Sequence, residues 1–411
     1  MKMMKTLLGA TALCVAGASA YATDLEVTHW WTSGGEAAAV AELAKALDAG
    51  GNHKWVDGAI AGSGGVARPI IISRILGGDP MGATQLNHGR QAEELIEAGL
   101  LLDITDVAEA NGWKDLINPP GLLESCTLDG KIYCAPVNIH SWQWIWLSHK
   151  AYADAGIPVP TNWDEFAASA PALEAAGKVP LAMGQQGWQT SGAFGVIAVA
   201  LGGVDVWKQI NIEKNADVAA GPEMARVFKA AADARAMAAN SKVQDWNQAT
   251  NMVITGAAGG QIMGDWAQGE FQVAGQVAGT DYTCLPGLGE NEVISTGGDA
   301  FYFPVNDDAD VTAAQKELAA LLVSPEVQVA FNLKKGSLPV RGDVDLSTAN
   351  DCMQKGLKIL ADGGVMPSGD QVLSADTQTQ IEDLMVEFFN DPSITAEDAQ
   401  KRYAALIADA D

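Results

Sequence analysis

The chain has 411 residues, 48% apolar and only 18% charged, which is too long for one ordinary core and too apolar for a disordered tail, so two or three folded domains are expected. Lysine and arginine number 25 against 51 aspartates and glutamates, a formal charge of −26. That balance opposes approach to phosphodiester backbones and anionic lipid, so nucleic acid and membrane-surface partners are excluded, as is a small module held by disulfides or zinc.

Residues 1–22 read as an export leader, with Lys2 and Lys5 as the positive end, an apolar stretch from Leu7 to Ala18, and Ala20-Tyr21-Ala22 as the cleavage site before Thr23. Cys14 follows Leu13, where a lipid-attachment signal wants a small residue, so the mature protein is expected to carry no lipid anchor. No later apolar run reaches the roughly 20 residues needed to span a bilayer.

From Thr23 onward, two-residue and 3.6-residue periods alternate. Leu25–His29 predicts a strand, Glu36–Leu47 a helix, Lys54–Ile60 a strand and Val66–Leu76 a helix. Ala83–Asn87 predicts a strand and Gln91–Ala98 a helix. Asn162 with Glu165 three residues on forms a capping box at a helix start, and the chain ends in helices near Gln378–Phe389 and Ala396–Ala408. Alternating strands and helices predict layered α/β domains with mostly parallel sheets. There is no internal repeat and no low-complexity linker.

Four cysteines follow the leader, and an even count in an exported protein favours disulfides. Cys126 and Cys134 flank Leu128-Asp129-Gly130-Lys131, a hairpin signal; a three-residue loop there would place the two directly opposite each other. Cys284 and Cys352 are then left to pair across a long loop, a link worth on the order of 4 kcal/mol. The alternative is that the cysteines stay free and buried.

Several chemistries lack their residues. The five histidines stand apart, with no H-E-x-x-H or C-x-x-C pattern, so no metal or other cofactor is expected. G-x-S-x-G is missing, and Gly62-Ser63-Gly64-Gly65 lacks the Lys-Ser/Thr of a phosphate loop; it reads as the opening of the Val66 helix. Glycoside hydrolysis by two acids such as Asp265 and Asp299 stays open, because sequence spacing does not decide which carboxylates meet.

The remaining signal is aromatic. Tryptophan, at 12, outnumbers both Phe (9) and Tyr (6). Trp30-Trp31-Thr32-Ser33-Gly34-Gly35-Glu36 lies between the first strand and first helix, where open α/β sheets carry ligand loops. Sugars suit such a place, since their C–H faces pack on an aromatic plane while side chains bond the hydroxyls. Adjacent residues on an extended chain face opposite ways, so one of the pair is expected to reach a ligand and the other to pack inward. Met263-Gly264-Asp265-Trp266 presents a second tryptophan at a turn, with simple packing as its alternative reading.

In order along the chain stand Trp30-Trp31 with Gly34-Gly35-Glu36, Leu76-Gly77-Gly78-Asp79-Pro80, Ala135-Pro136-Val137-Asn138-Ile139-His140, Trp163-Asp164-Glu165-Phe166, Gly264-Asp265-Trp266, and Phe331-Asn332-Leu333-Lys334-Lys335-Gly336-Ser337. In these the chain resembles the carbohydrate-binding proteins of bacterial ABC importers, the family that includes maltose-binding protein, and most closely its periplasmic glucose-binding branch. The resemblance implies a periplasmic, non-enzymatic monomer that captures a small carbohydrate between two α/β lobes and delivers it to a membrane permease. It implies a first lobe of residues 23–138 plus 299–350 and a second of 139–298 plus 351–411. By similarity the ligand-facing residues are Trp30, Trp31, Glu36, His88, His140, Trp266, Asp299 and Lys335. Glu36 and Asp299 would accept from hydroxyls, Lys335 would donate, and the tryptophans would stack. Cys284 and Cys352 match a pair in the glucose-binding branch, whereas Cys126 and Cys134 are an addition. Two departures stand out. Members of that branch carry a histidine after a Pro-Ser, where Met366-Pro367-Ser368 here precedes Gly369-Asp370-Gln371, and His88 stands where a close relative has lysine.

Overall fold

Leu25 and Val27 alternate with polar neighbours and are fully buried, and they seat the first strand, Thr23–His29, in the core. The computed structural model describes residues 22–410; all but the last residue of the expected leader, with Cys14, lies outside them. Ser33 then starts the helix Gly34–Gly50: its hydroxyl accepts from the Glu36 amide while Glu36 reaches back to the Ser33 amide, and Gly51 ends the helix at φ 74°. The chain returns as His53–Ala59, parallel to the first strand in unbroken register from Thr23 opposite His53 to His29 opposite Ala59. Helix Ser63–Leu76 and strand Ala83–Asn87 complete this unit, the strand with the expected bounds. The expected Gln91–Ala98 helix is broken into a tight turn, Arg90–Ala92, and a short helix, Glu93–Glu97.

Two sheets organise the molecule. The first runs His53–Ala59, Thr23–His29, Ala83–Asn87, Asp299–Tyr302, Cys134–Pro136. The second runs Tyr282–Pro286, Trp144–Ser148, Ala258–Ile262, Val179–Leu181. Helices flank both, as the α/β reading expects. The strand directions depart from it: both sheets are mixed. In the first, Asp299–Tyr302 returns from the second sheet and lies antiparallel to both its neighbours. In the second, only Val179–Leu181 with Ala258–Ile262 is parallel. Strands contributed by a chain re-entering from elsewhere need not keep the direction that a local β-α-β crossover imposes.

The chain passes between the sheets three times, and the passages bond to one another. The His140 amide donates to the Gly297 carbonyl (2.7 Å), the Val137 amide to the Asp299 carbonyl (2.9 Å), and Ile139 and Leu338 exchange amide bonds of 2.8 and 3.1 Å. Gly298 is required here, since a Cβ would stand 2.2 Å from the Asn138 carbonyl oxygen.

Both disulfides are formed. Cys284–Cys352 ties a strand of the second sheet to helix Asp351–Ala361 across 68 positions. Cys126–Cys134 brackets the hairpin, whose loop is two residues and not three: Leu128 pairs with Lys131, and Asp129 and Gly130 take φ of 50° and 77°. Cys126 therefore faces Tyr133, and the bridge to Cys134 runs diagonally at a Cα separation of 5.0 Å. At Asn162 the cap is half as expected. Its side chain accepts from the Glu165 amide, but Glu165 bonds the amide and hydroxyl of Thr161. Helices Ala375–Asn390 and Ala396–Ala408 close the chain, and among the described residues no helix is long and apolar enough to cross a membrane.

Candidate functional site

A cleft of about 440 Å³ opens between the ends of the two sheets. The loop after the first strand brings Trp30 and Trp31 to its wall, helix Gly34–Gly50 brings Glu36, the passages bring His140 and Asp299, helix Pro325–Lys335 brings Lys335, and the turn after Ala258–Ile262 brings Trp266. Seven of the eight residues expected from sequence thus line one cavity. His88 does not. It is fully buried behind the wall, its ring against Gly298 and both ring nitrogens without partners, while its neighbour Asn87 faces the cleft.

The carboxylates are held in place. Asp299 Oδ1 accepts from Gln85 Nε2 (2.7 Å) and Oδ2 from Asn138 Nδ2 (3.1 Å), while its amide donates to Asn138 Oδ1 (2.8 Å). Glu36 Oε1 accepts from Lys335 Nζ at 3.1 Å, and Oε2 accepts from the Ser33 amide at 3.3 Å. Both members of this ion pair are buried, Lys335 to 1% exposure, and the ammonium lies 5.9 Å from the Trp31 ring. An ion pair so placed is kept where each charge has its partner.

Burial sets the protonation. It pushes His88 down to about 4 against the opposing pull of Asp299. It also holds His140 well below the usual imidazole value, with Lys335 and His88 adding to the effect. His140 is therefore neutral at pH 7; its Nε2 accepts from Asn138 Nδ2 (2.9 Å), and its Nδ1 lies 3.1 Å from Asp299 Oδ2. The Asp299 carboxyl is raised by burial, with Lys335, Gln85 and Asn138 pulling the other way. Asp265 is raised well above the carboxylate range, also by burial. Its Oδ2 accepts from the Ser141 amide, and it stands off the cleft wall, so it does not face Asp299 across a bound molecule as a hydrolytic pair would.

The two adjacent tryptophans have different neighbours, although both line the cleft. Trp31 packs between Phe301 (5.8 Å) and Phe331 (5.2 Å), with its indole N–H unpaired, while the Arg68 guanidinium lies 5.4 Å over the Trp30 ring. The broad aromatic face comes from elsewhere. Trp266 meets Trp142 edge-on at 4.8 Å, Trp142 meets Trp188 at 5.6 Å, and His140 sits 5.0 Å from Trp266. Gly264 makes room for this wall, since a Cβ there would stand 2.0 Å from the Trp266 ring.

Sequence reasoning missed Trp142, Trp188, Arg68 and Gln91, all on the wall; Asp370, noted only as part of a departure from the glucose-binding branch, joins them there. The tryptophan excess pointed toward the first two without placing them. Gln91 Nε2 donates to Asp370 Oδ1 (3.2 Å) and Gln371 Nε2 to Ser125 Oγ (2.8 Å), so the Gly369-Asp370-Gln371 segment is tied to Gln91 and Ser125 beside the cleft. Among the described residues, Cys284, Asp351 and Cys352 have metal-ligand spacing, but the two sulfurs are bonded to each other.

Residues 31–329 match the model of the bacterial extracellular solute-binding protein family. A probable sugar-binding periplasmic protein of Rhizobium meliloti is 37% identical over 88% of this chain and 86% of its own length; one of Brucella suis is 35% identical over 99% of each. Among solved structures, a chitin oligosaccharide binding protein superposes with a TM-score of 0.76 at 20% identity, covering 95% of this chain and 99% of that one. The maltose-bound MalE3 of T. maritima superposes at 0.74 and 17%, covering 94% and 99%. These likenesses carry the two-lobed fold of periplasmic binding proteins. The chain belongs to the bacterial extracellular solute-binding protein family.

Proposed function

We propose that this protein is the periplasmic sugar-binding subunit of an ABC importer, which encloses a monosaccharide or small oligosaccharide between its lobes and presents it to a membrane permease. The observation that carries this reading is the composition of the interlobe wall: a tryptophan face formed by Trp142, Trp188 and Trp266 opposite hydrogen-bonding and charged groups on Glu36, Arg68, Asp299 and Lys335. A sugar presents those two surfaces, C–H faces and hydroxyl edges. The family and the sugar-binding names of its relatives support it and weigh against hydrolysis. The lobes divide as residues 23–138 plus 299–350 and 139–298 plus 351–411, and the protein works as a monomer. Trp30, Trp31, Glu36, His140, Trp266, Asp299 and Lys335 meet the ligand, while His88 acts from behind by shaping the floor at Gly298.

Mass spectrometry of the small molecule that co-purifies with the native protein, followed by calorimetric titration with a sugar panel, tests this. Saturable binding with the sugar recovered intact is expected. Catalytic release of monosaccharide would sink the proposal.

A further inference from the structure

The wall changes character along one helix. At the polar end it carries Glu36, Asp299 and Lys335; past Trp188, along helix Gly187–Ile197, its apolar lining is Phe194, Ile210, Met224, Leu373 and Ile381. The polar residues on this stretch give their donors to their own backbone. Ser191 Oγ bonds the Trp188 carbonyl, Asn211 Nδ2 that of Trp207, Gln378 Nε2 that of Leu373, and Thr379 Oγ1 that of Ala375. The acid on this stretch, Glu382, is raised above its ordinary range by burial, with the Arg68 charge pulling the other way. Sugar hydroxyls placed here would lose water and gain few partners, an unfavourable exchange.

Two glycines on the cleft side of this helix differ in their reason for being glycine. At Gly192 a Cβ would stand 2.3 Å from the Trp142 ring, so the tryptophan wall demands it. At Gly195 a Cβ would meet nothing within 4 Å, although Gly195 also lines the cleft. A glycine inside a helix weakens it relative to alanine, and no neighbour here accounts for that loss. Directly after it the helix widens into a π turn, Ala198–Gly202, with Asn291 Nδ2 donating to the carbonyls of Ala200 (2.7 Å) and Val199 (3.4 Å). Such turns are costly and cluster at functional sites.

We propose that the ligand is a glycoside, with its sugar at the polar end and an apolar aryl or alkyl aglycone lying along helix Gly187–Ile197, where Gly195 keeps the path clear. The proposal rests on the sugar-binding reading above. Its test is calorimetric titration of wild type, Gly195→Ala and Gly195→Leu with methyl and phenyl glucosides and galactosides of both anomeric forms, and with maltose and cellobiose. Wild type should bind the phenyl form of its preferred sugar about tenfold or more tightly than the methyl form, the gain for burying one aromatic ring. Gly195→Leu should erase that gain and leave methyl glycoside affinity within about twofold of wild type, since the leucine fills only the apolar stretch. Gly195→Ala should fall between them. Both substitutions favour the helix, so ligand-free melting temperatures should hold or rise. Equal affinity of wild type for phenyl and methyl forms, or an equal loss of both in Gly195→Leu, overturns the apolar site. Tightening by a disaccharide and not by the phenyl form also overturns it, in favour of a second polar ring. If wild type binds none of the glycosides while other small molecules bind, the sugar-binding reading itself fails, and this proposal with it.

Discussion

Trp266 is 8% exposed, presses on Gly264 and Trp142, and faces the cleft, so in the proposed function packing and recognition meet in one ring. Trp266→Ala should therefore lower stability by about 3 kcal/mol and weaken sugar binding by about 1–3 kcal/mol. Trp266→Phe keeps a ring on the glycine and should recover most of the stability but less of the affinity; denaturation curves and titrations on the two variants separate the contributions. His88 makes a different prediction. Its folded value of about 4 lies below the unfolded 6.5, so the unfolded chain takes up the proton first and stability falls as pH drops from 6.5 toward 4. The full loss is on the order of 3 kcal/mol. His140 acts in the same direction and Asp299 in the opposite one, so the useful quantity is a difference: His88→Gln should lose about 3 kcal/mol less than wild type between pH 7 and pH 4 in urea titrations. Equal losses would show that His88 accepts the proton in the fold. His88 also shows where sequence reasoning loses the site. The strand end at Asn87 was legible, but side chains alternate there, and a shift of one residue exchanges the wall for the space behind it.

The early helices and strands were readable because their periods are local: the helix expected over Glu36–Leu47 runs Gly34–Gly50, its ends set by the Ser33–Glu36 box and Gly51. Sheet order was not readable, because Asp299–Tyr302 finds its partners at Ala83–Asn87 and Cys134–Pro136, far away along the chain. For the same reason Arg68 escaped notice and Asp370 was noted only as a departure from the glucose-binding branch. One sits on helix Ser63–Leu76 and the other on the short helix Gly369–Val372, and only the tertiary fold brings both to the cleft. The disulfides were readable as a pair of loops, and their lengths set their worth. Closing 68 positions should stabilise by about 4 kcal/mol and closing 8 by about 2.5 kcal/mol in the chain-entropy account. Replacing Cys284 and Cys352 together by serine should thus lower the denaturation midpoint clearly more than the same change at Cys126 and Cys134. A reversed order would locate the stabilisation in the short hairpin instead.

At the scale of the whole molecule the ligand should act on the relation between the lobes. Groups from both sides already touch, through Gln91 with Asp370, Ser125 with Gln371, and the Gly35 amide with Glu270 Oε1 at 2.7 Å. A sugar that contacts both walls favours the closed arrangement by its difference in affinity for the two forms. Small-angle scattering should therefore show a smaller radius of gyration at saturation, and melting should rise by the equivalent of about 2.7 kcal/mol at a hundred times the dissociation constant. A radius unchanged by a sugar that binds would place the ligand outside the cleft. The three bonded passages have a mechanical consequence as well. Because the backbone goes out at Val137–His140, back at Gly297–Asp299 and out again near Leu338, no single cut releases either lobe. A protease that nicks one strand of this braid leaves the halves joined by the other two, so a clipped molecule should run as one particle on a sizing column and come apart only in denaturant.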